Sequence, residues 1–273
     1  MNDKIKNGLL WVLAALITIG LVVYQRATGP TYPVKGELAI GNETVSYKFI
    51  RSFSGEDNAG ISIPVIDKSI TGKITFKRYK SYDDWLTVEM VRKGEELTAL
   101  LPHQPPAGKI EYKVSLFKDG KVYLLTEEPV IIRFTGAVPR PILIPHIFFM
   151  FFSILFGLRA GLEALLKRKD TRYLSGVTLV FIFIGGLILG PIVQKYAFEA
   201  YWTGWPFGHD LTDNKTIVMF IFWLIAWWRL KKKPGKFIWV YVAVVVMLAV
   251  YIIPHSALGS EIDHRKQQTE QTK

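Results

Sequence analysis

Five apolar blocks constrain this chain more than anything else in it. They run from about Gly8 to Tyr24, Ile142 to Leu166, Leu174 to Val193, Thr216 to Arg229 and Phe237 to Ile253. A helix rises about 1.5 Å per residue and needs roughly 20 residues to cross a hydrocarbon core. The blocks therefore predict five membrane-spanning helices. The fourth is short and must borrow Asp213–Lys215 or Leu230 and its following lysines. Mean hydropathy is +0.23 and half of the residues are hydrophobic, which excludes disorder and collagen-like repeats. The chain has no cysteine, so disulfides, thiolate metal sites and Cys nucleophiles are excluded as well.

Lys4 and Lys6 precede the first block, as they would in a signal peptide. Its apolar core is longer than a signal sequence needs, and no small-x-small cleavage site follows it. It reads as a signal anchor. Charge then orients the helices. Eleven basic residues fall in three short segments: Lys4 and Lys6; Lys167, Arg168, Lys169 and Arg172; and Arg229, Lys231, Lys232, Lys233 and Lys236. Lys195 and Lys215 are the basic residues of the loop between the third and fourth blocks. The positive-inside rule puts the N-terminus in the cytoplasm and the C-terminus outside, in a bacterial inner membrane. The expected partition is residues 1–7 cytoplasmic, 8–25 the first helix, 31–138 an extracytoplasmic domain, 141–255 a four-helix transmembrane bundle and 256–273 an extracytoplasmic tail. Eleven of the 34 basic residues sit beside the inner face, while residues 31–138 hold 15 basic and 14 acidic side chains and are close to neutral. This distribution suits an anionic lipid surface and not a nucleic acid.

The segment 31–138 alternates apolar and polar residues. Ile110–Leu116 has apolar residues at every second position, and Val45–Phe49, Ile74–Phe76 and Leu86–Met90 repeat the pattern. Period two means one face buried and one wet. Lys118-Asp119-Gly120-Lys121 is an Asp-Gly hairpin turn, and Arg92-Lys93-Gly94-Glu95 marks another. Seven to nine short strands predict an antiparallel β-sandwich, making the whole an α+β membrane protein. The stretch Pro105–Val114, followed by a hairpin and a last strand to Phe134, resembles the end of an immunoglobulin-like or fibronectin-like module. Trp85 is expected in the sandwich core. Asp83 and Asp84 read as solvated loop charges, and His103 as an exposed turn residue.

The loop from Gln194 to Thr216 is dense in aromatics and broken by Gly204, Pro206 and Gly208. It reads as an aromatic belt at headgroup level ending in a helix N-cap, Asp213 or Thr212. Topology adds a second reading. Four of the five histidines, His146, His209, His255 and His264, fall at or just beyond one membrane face, with carboxylates on the same side. Imidazole plus carboxylate suits zinc, copper or iron. The candidate metal ligands are His146, His209 and His255, with Asp210 or Glu261 as a further ligand or partner. No His-x-x-x-His pair supports them, and each comes from a separate segment.

Trp202-Thr-Gly-Trp-Pro-Phe-Gly208, Asp210-Leu-Thr-Asp-Asn-Lys-Thr216 and the tail Ile253–Asp263 resemble a bacterial inner-membrane protein family without characterised activity. The resemblance transfers no catalytic role. Within the bilayer, Arg159 and Glu163 lie one helical turn apart, and Arg159 is expected to snorkel toward the cytoplasmic headgroups. Gly157-x-x-x-Gly161 and Gly186-x-x-x-Gly190 predict close helix contacts. No nucleotide loop, nucleophile motif or inverted repeat argues for catalysis or transport. The leading expectation is a multi-pass protein whose β-sandwich and aromatic loop bind an envelope or membrane protein partner. The alternative is a membrane-embedded metalloprotein, a hydrolase or redox component.

Overall fold

A computed structural model describes residues 2–208, 210–253 and 261–271. The fold is α+β, and the chain divides into two compact units. One holds the described residues of 1–30 and 138–259, the other those of 31–137 and 260–273.

The described residues of the second unit form eleven strands and one helix. In chain order the strands are β1 (Val34–Ile40), β2 (Glu43–Phe49), β3 (Ser52–Ser54), β4 (Ala59–Pro64), β5 (Thr71–Arg78) and β6 (Leu86–Glu89). They continue with β7 (Val91–Lys93), β8 (Glu96–Leu101), β9 (Lys109–Lys118), β10 (Lys121–Leu124) and β11 (Val130–Thr135). One sheet has the order β3-β11-β9-β5-β6, with β10 also paired to β9; a second has the order β4-β8-β7; β1 and β2 form a hairpin. All pairs are antiparallel except β11 with β3, which run parallel. The alternation in β4, β5, β8 and β9 buries one face of each strand, and these residues share one core with Phe49, Phe134 and Tyr112. Asp119 and Gly120 both have positive φ, 49° and 73°, the geometry an Asp-Gly hairpin turn requires.

Two local expectations are corrected here. Leu86 and Val88 are exposed, at 57% and 41%, because β6 is the outermost strand of its sheet and no other described residues cover it. Trp85, expected in the core, is 41% exposed. It enters that same edge strand, and the ammonium groups of Lys77 and Lys113 lie 5.2 and 5.9 Å from its ring centre. Phe49, Phe134 and Tyr112 are among the aromatics buried instead, and the Tyr112 hydroxyl donates to the Ile50 carbonyl at 3.0 Å. Residues 261–271 also join this unit. Ile262 N–H donates to Ala107 O and Arg265 N–H to Lys80 O, leading into a helix at His264–Gln271.

The first unit contains α1 (Asp3–Thr28), α2 (Arg140–Leu165), α3 (Thr171–Phe198), α4 (Leu211–Lys232) and α5 (Ile238–Ile252); the helix at His264–Gln271 is α6. The first three are long and apolar enough to cross a membrane, and α5 is apolar but shorter. The α1 C-terminus meets the α5 C-terminus through Gln25 Nε2 to Tyr251 O, and the α4 N-terminus reaches the same end through Lys215 Nζ to Ile253 O. At the opposite end Asn7 meets Arg159 late in α2, and Tyr241 Oη donates to Ala164 O. Consecutive helices thus alternate in direction. Glycines set the closest approaches: a Cβ at Gly157 would lie 2.7 Å from the Met247 sulfur, and one at Gly161 2.9 Å from Val244. Both glycines of the small-residue spacing on α2 therefore serve its contact with α5, as in other small-xxx-small interfaces. Between α2 and α3, Phe149, Phe152 and Phe156 meet the Phe181 ring at 5.4, 6.1 and 5.3 Å, each pair worth about 0.5–1.5 kcal/mol beyond burial.

Candidate functional site

The helical unit has a half-open cavity of about 350 Å³ at the end where α1 finishes, within the size range of small-molecule sites. Its polar lining comes from helix ends: Gln25 of α1, His146 of α2, Lys215 and Thr216 of α4 and Tyr251 of α5. One to two turns further along α2 and α4 the lining becomes apolar, with Met150, Phe151, Ile154 and Met219. The site grades from polar to apolar along the helix axes.

His146 is held by an irregularity in α3. From Phe183 to Leu189 that helix widens into π-helical turns, a distortion common beside functional sites. The Gly185 carbonyl lies there and meets both the Gly190 N–H and His146 Nδ1, the latter at 2.9 Å. A carbonyl only accepts, so Nδ1 carries the proton, and Nε2 is the acceptor of a neutral ring. Nε2 has no hydrogen-bond partner among the described residues. Gly185 and Gly186 make this approach feasible. A Cβ at Gly185 would sit 2.8 Å from Phe149, and one at Gly186 2.5 Å from the Thr216 methyl. Nothing in the sequence announced the π-helical turns; the Gly-Gly pair within an apolar run was the one available signal.

The aromatic loop is ordered by a single carboxylate. Asp213 Oδ2 accepts the N–H groups of Thr203 and Gly204 at 2.7 and 2.9 Å, while Asn214 Oδ1 accepts that of Trp205 at 2.7 Å. Gln194 Nε2 donates to Thr203 Oγ1 at 2.6 Å. The loop is thereby folded onto the first turn of α4, and Gly204 is required because a Cβ there would lie 2.6 Å from Asp213 Cβ. Its rings point away: Tyr201, Trp205 and Phe207 are exposed. Asp213 or Thr212 was expected as the helix cap. The cap is Asp210, whose side chain accepts from Thr212 N at 2.8 Å, and α4 begins at Leu211, five residues before the apolar block.

At the other end lies a buried ionic cluster that the snorkelling expectation missed. Arg159 and Glu163 are 2% and 0% exposed. Arg159 Nη1 donates to Glu163 Oε2 at 2.6 Å, Nη2 donates to Asn7 Oδ1, and its guanidinium carbon lies 5.4 Å from the Trp11 ring centre. Arg168 is brought back by the helix ending. Lys167 adopts φ 53°, Lys167 N–H bonds Ala164 O and Arg168 N–H bonds Glu163 O, a Schellman turn. Arg168 Nε then lies 3.3 Å from Glu163 Oε1. Asn7 and Trp11 come from α1, so inspection of α2 alone could not reveal them.

Of the five proposed metal ligands, His146 lines the cavity and Asp210 caps α4, both in the helical unit. Glu261 lies in the β unit, where it forms ion pairs with Lys80 and Lys109. His209 and His255 lie outside the described residues. Among the described residues, no group of three or more His, Cys, Asp or Glu side chains is placed to hold a metal ion. No protein-family model matches the chain, and no curated protein matches it.

Proposed function

We propose that this is a multi-pass bacterial inner-membrane protein whose extracytoplasmic β-sandwich captures an extended segment of an envelope protein along its β6–β7 edge. The carrying observation is that edge. Leu86, Val88 and Val91 are 57%, 41% and 61% exposed, on the outermost strands of two sheets whose neighbours are already paired. Unpaired backbone beside exposed apolar side chains is what strand addition uses: main-chain bonds supply affinity and side-chain contacts supply selectivity.

The immunoglobulin-like reading rests on topology. The orders β4-β8-β7 and β11-β9-β5-β6 correspond to a B-E-D sheet facing a G-F-C sheet with one further edge strand, connected across the sandwich between β4 and β5 and between β8 and β9. The membrane reading rests on the three long apolar helices and on charge. Lys4 and Lys6, the α2–α3 turn and the α4–α5 turn carry the eleven clustered basic residues, and the alternating helices bring these segments to one end of the unit. That end is cytoplasmic by the positive-inside rule. Tyr201, Trp205 and Phe207 then form an aromatic belt at the opposite interface.

A cysteine-free chain makes both parts testable. A cysteine placed at Asp119 should react with an impermeant maleimide in intact spheroplasts, and one at Lys169 only after permeabilisation; the reverse pattern overturns the orientation. A photoreactive residue at Thr87 should give a discrete protein adduct in native membranes, abolished by L86K/V88K. An adduct that survives L86K/V88K, or none from Thr87, overturns the edge as the docking site.

A further inference from the structure

We infer that an open groove along α3, at the basic end of the helical unit, binds one anionic diacyl phospholipid, a phosphatidylglycerol in chemical terms. The inference rests on the membrane reading and goes beyond partner capture: it names a site where the charge distribution alone names a surface. The groove measures about 940 Å³, at the upper end of the range for small-molecule sites. Its floor is α3, with Phe149 of α2 and Trp227 of α4 also in the lining. Along α3 the lining forms two adjacent ridges, Arg172, Gly176 and Val180 beside Tyr173, Val177 and Phe181, the spacing of one helix face. Polarity falls along both ridges. Lys169 and Arg172 stand at one end, and the α3 lining is apolar from Val177 onward. From Arg172 to Phe181 the helix rises about 14 Å, roughly half of a ~30 Å hydrocarbon core. The groove is one leaflet deep.

The polar groups at the basic end match the headgroup. Lys169, Arg172 and the Trp227 indole can only donate hydrogen bonds, and none of the three has a hydrogen-bond or ion-pair partner among the described residues. The Lys231 ammonium, 5.8 Å from the Trp227 ring centre, adds a third cation beside them. No Asp or Glu lies among the described lining residues, and Asp170 is outside it. A phosphodiester offers acceptors only, and its bonds to guanidinium and ammonium groups are charge-assisted. Trp227 N–H lies about one turn deeper, beside Gly176, which has no side chain to cover it: a Cβ there would be 3.1 Å from Nε1. That depth suits an ester carbonyl of a lipid whose phosphate meets Arg172. The same charges select among phospholipids. A choline or ethanolamine headgroup would bring its own cation against Lys169 and Arg172 with no carboxylate in the lining to receive it, whereas glycerol is neutral. Basic pockets between helices on the cytoplasmic side recognise anionic headgroups in this way.

The test is native mass spectrometry of the full chain in non-ionic detergent, titrated with phosphatidylglycerol and phosphatidylcholine of identical acyl chains. One phosphatidylglycerol should be retained per chain, with a preference over phosphatidylcholine of about tenfold. K169Q/R172Q should bring the two lipids to similar retention. Both side chains are exposed and unpartnered, so the melting temperature should stay near that of the parent. K4Q/K6Q, which removes the same charge from another segment at that end, should keep the preference. A phosphatidylglycerol with a diazirine in its acyl chain should label the Val177–Phe181 stretch. Equal retention of the two lipids by the parent, equal loss of preference in K4Q/K6Q, label confined to other helices, or a lipid-free dimer closed by this face would each overturn the proposal. Lipid preference is read in detergent and cysteine accessibility in spheroplasts, so failure of this site and failure of the orientation are separable.

Discussion

Arg159 and Glu163 form a 2.6 Å ion pair one turn apart on α2, with both side chains withdrawn from solvent. The pair is completed from elsewhere: Asn7 takes a second guanidinium nitrogen, and Arg168 approaches the other carboxylate oxygen. Removing one partner of a buried pair strands a charge, which costs about 3–5 kcal/mol. Arg159→Met should therefore lower thermal stability sharply, measured by scanning fluorimetry in detergent. The double variant R159M/E163L should recover most of the loss, because no buried charge remains. A single variant as stable as the parent would show that the cluster contributes nothing.

Asp213 organises the aromatic loop by accepting two backbone N–H groups. Asp213→Ala leaves both donors unpaired, at about 1–3 kcal/mol for each buried group. The loss is local, so chymotrypsin should cut at Tyr201, Trp205 or Phe207 much faster in D213A than in the parent. Asn214→Ala should have a smaller effect, as it frees the Trp205 N–H alone.

These two clusters also show what was legible beforehand. The apolar helices, the strand alternation and the Asp119-Gly120 turn follow from local periodicity and turn chemistry, which a sequence displays directly. The Trp202–Gly208 stretch stood out as unusual, yet its anchor at Asp213 depends on which oxygen faces the loop. Arg159 was misread because its partners Asn7 and Arg168 come from another helix and from a helix-ending turn. Trp85 and Leu86 were misread for a related reason: alternation shows which residues share a face, not whether another layer covers it. Glu261 sits 152 residues from Lys109 and 181 from Lys80 in sequence, so its ion pairs were invisible.

Gly186 and Thr216 are in the tightest glycine-to-side-chain contact of the α3–α4 interface, with 2.5 Å between an added Cβ and the Thr216 methyl. Gly186→Ala should destabilise by about 1–3 kcal/mol through overpacking. Thr216→Ser deletes the opposing methyl and should restore much of that stability in the double variant. Melting temperatures of the four proteins close the cycle; additivity would show that the two residues do not meet.

Asp83 links acid stability to the β unit. Arg78 grips its carboxylate with Nε at 2.6 Å and Nη2 at 2.8 Å. That hydrogen bonding, aided by Gln268, holds the Asp83 pKa at about 2 against an ordinary 3.8, with partial burial opposing it. The folded form therefore binds its proton less readily than the unfolded form. The stabilisation is complete above about pH 4 and is lost as pH falls through about 2. Hydrogen exchange of β5 and β9 amides, which reads this unit alone, should accelerate across that window in the parent chain. Asp83→Asn should exchange faster at pH 6 and show a smaller change between pH 4 and 2. Part of the acceleration should persist, since Asp67 is also held low by Lys118. An unchanged profile in D83N would show that the Arg78 pair stabilises nothing.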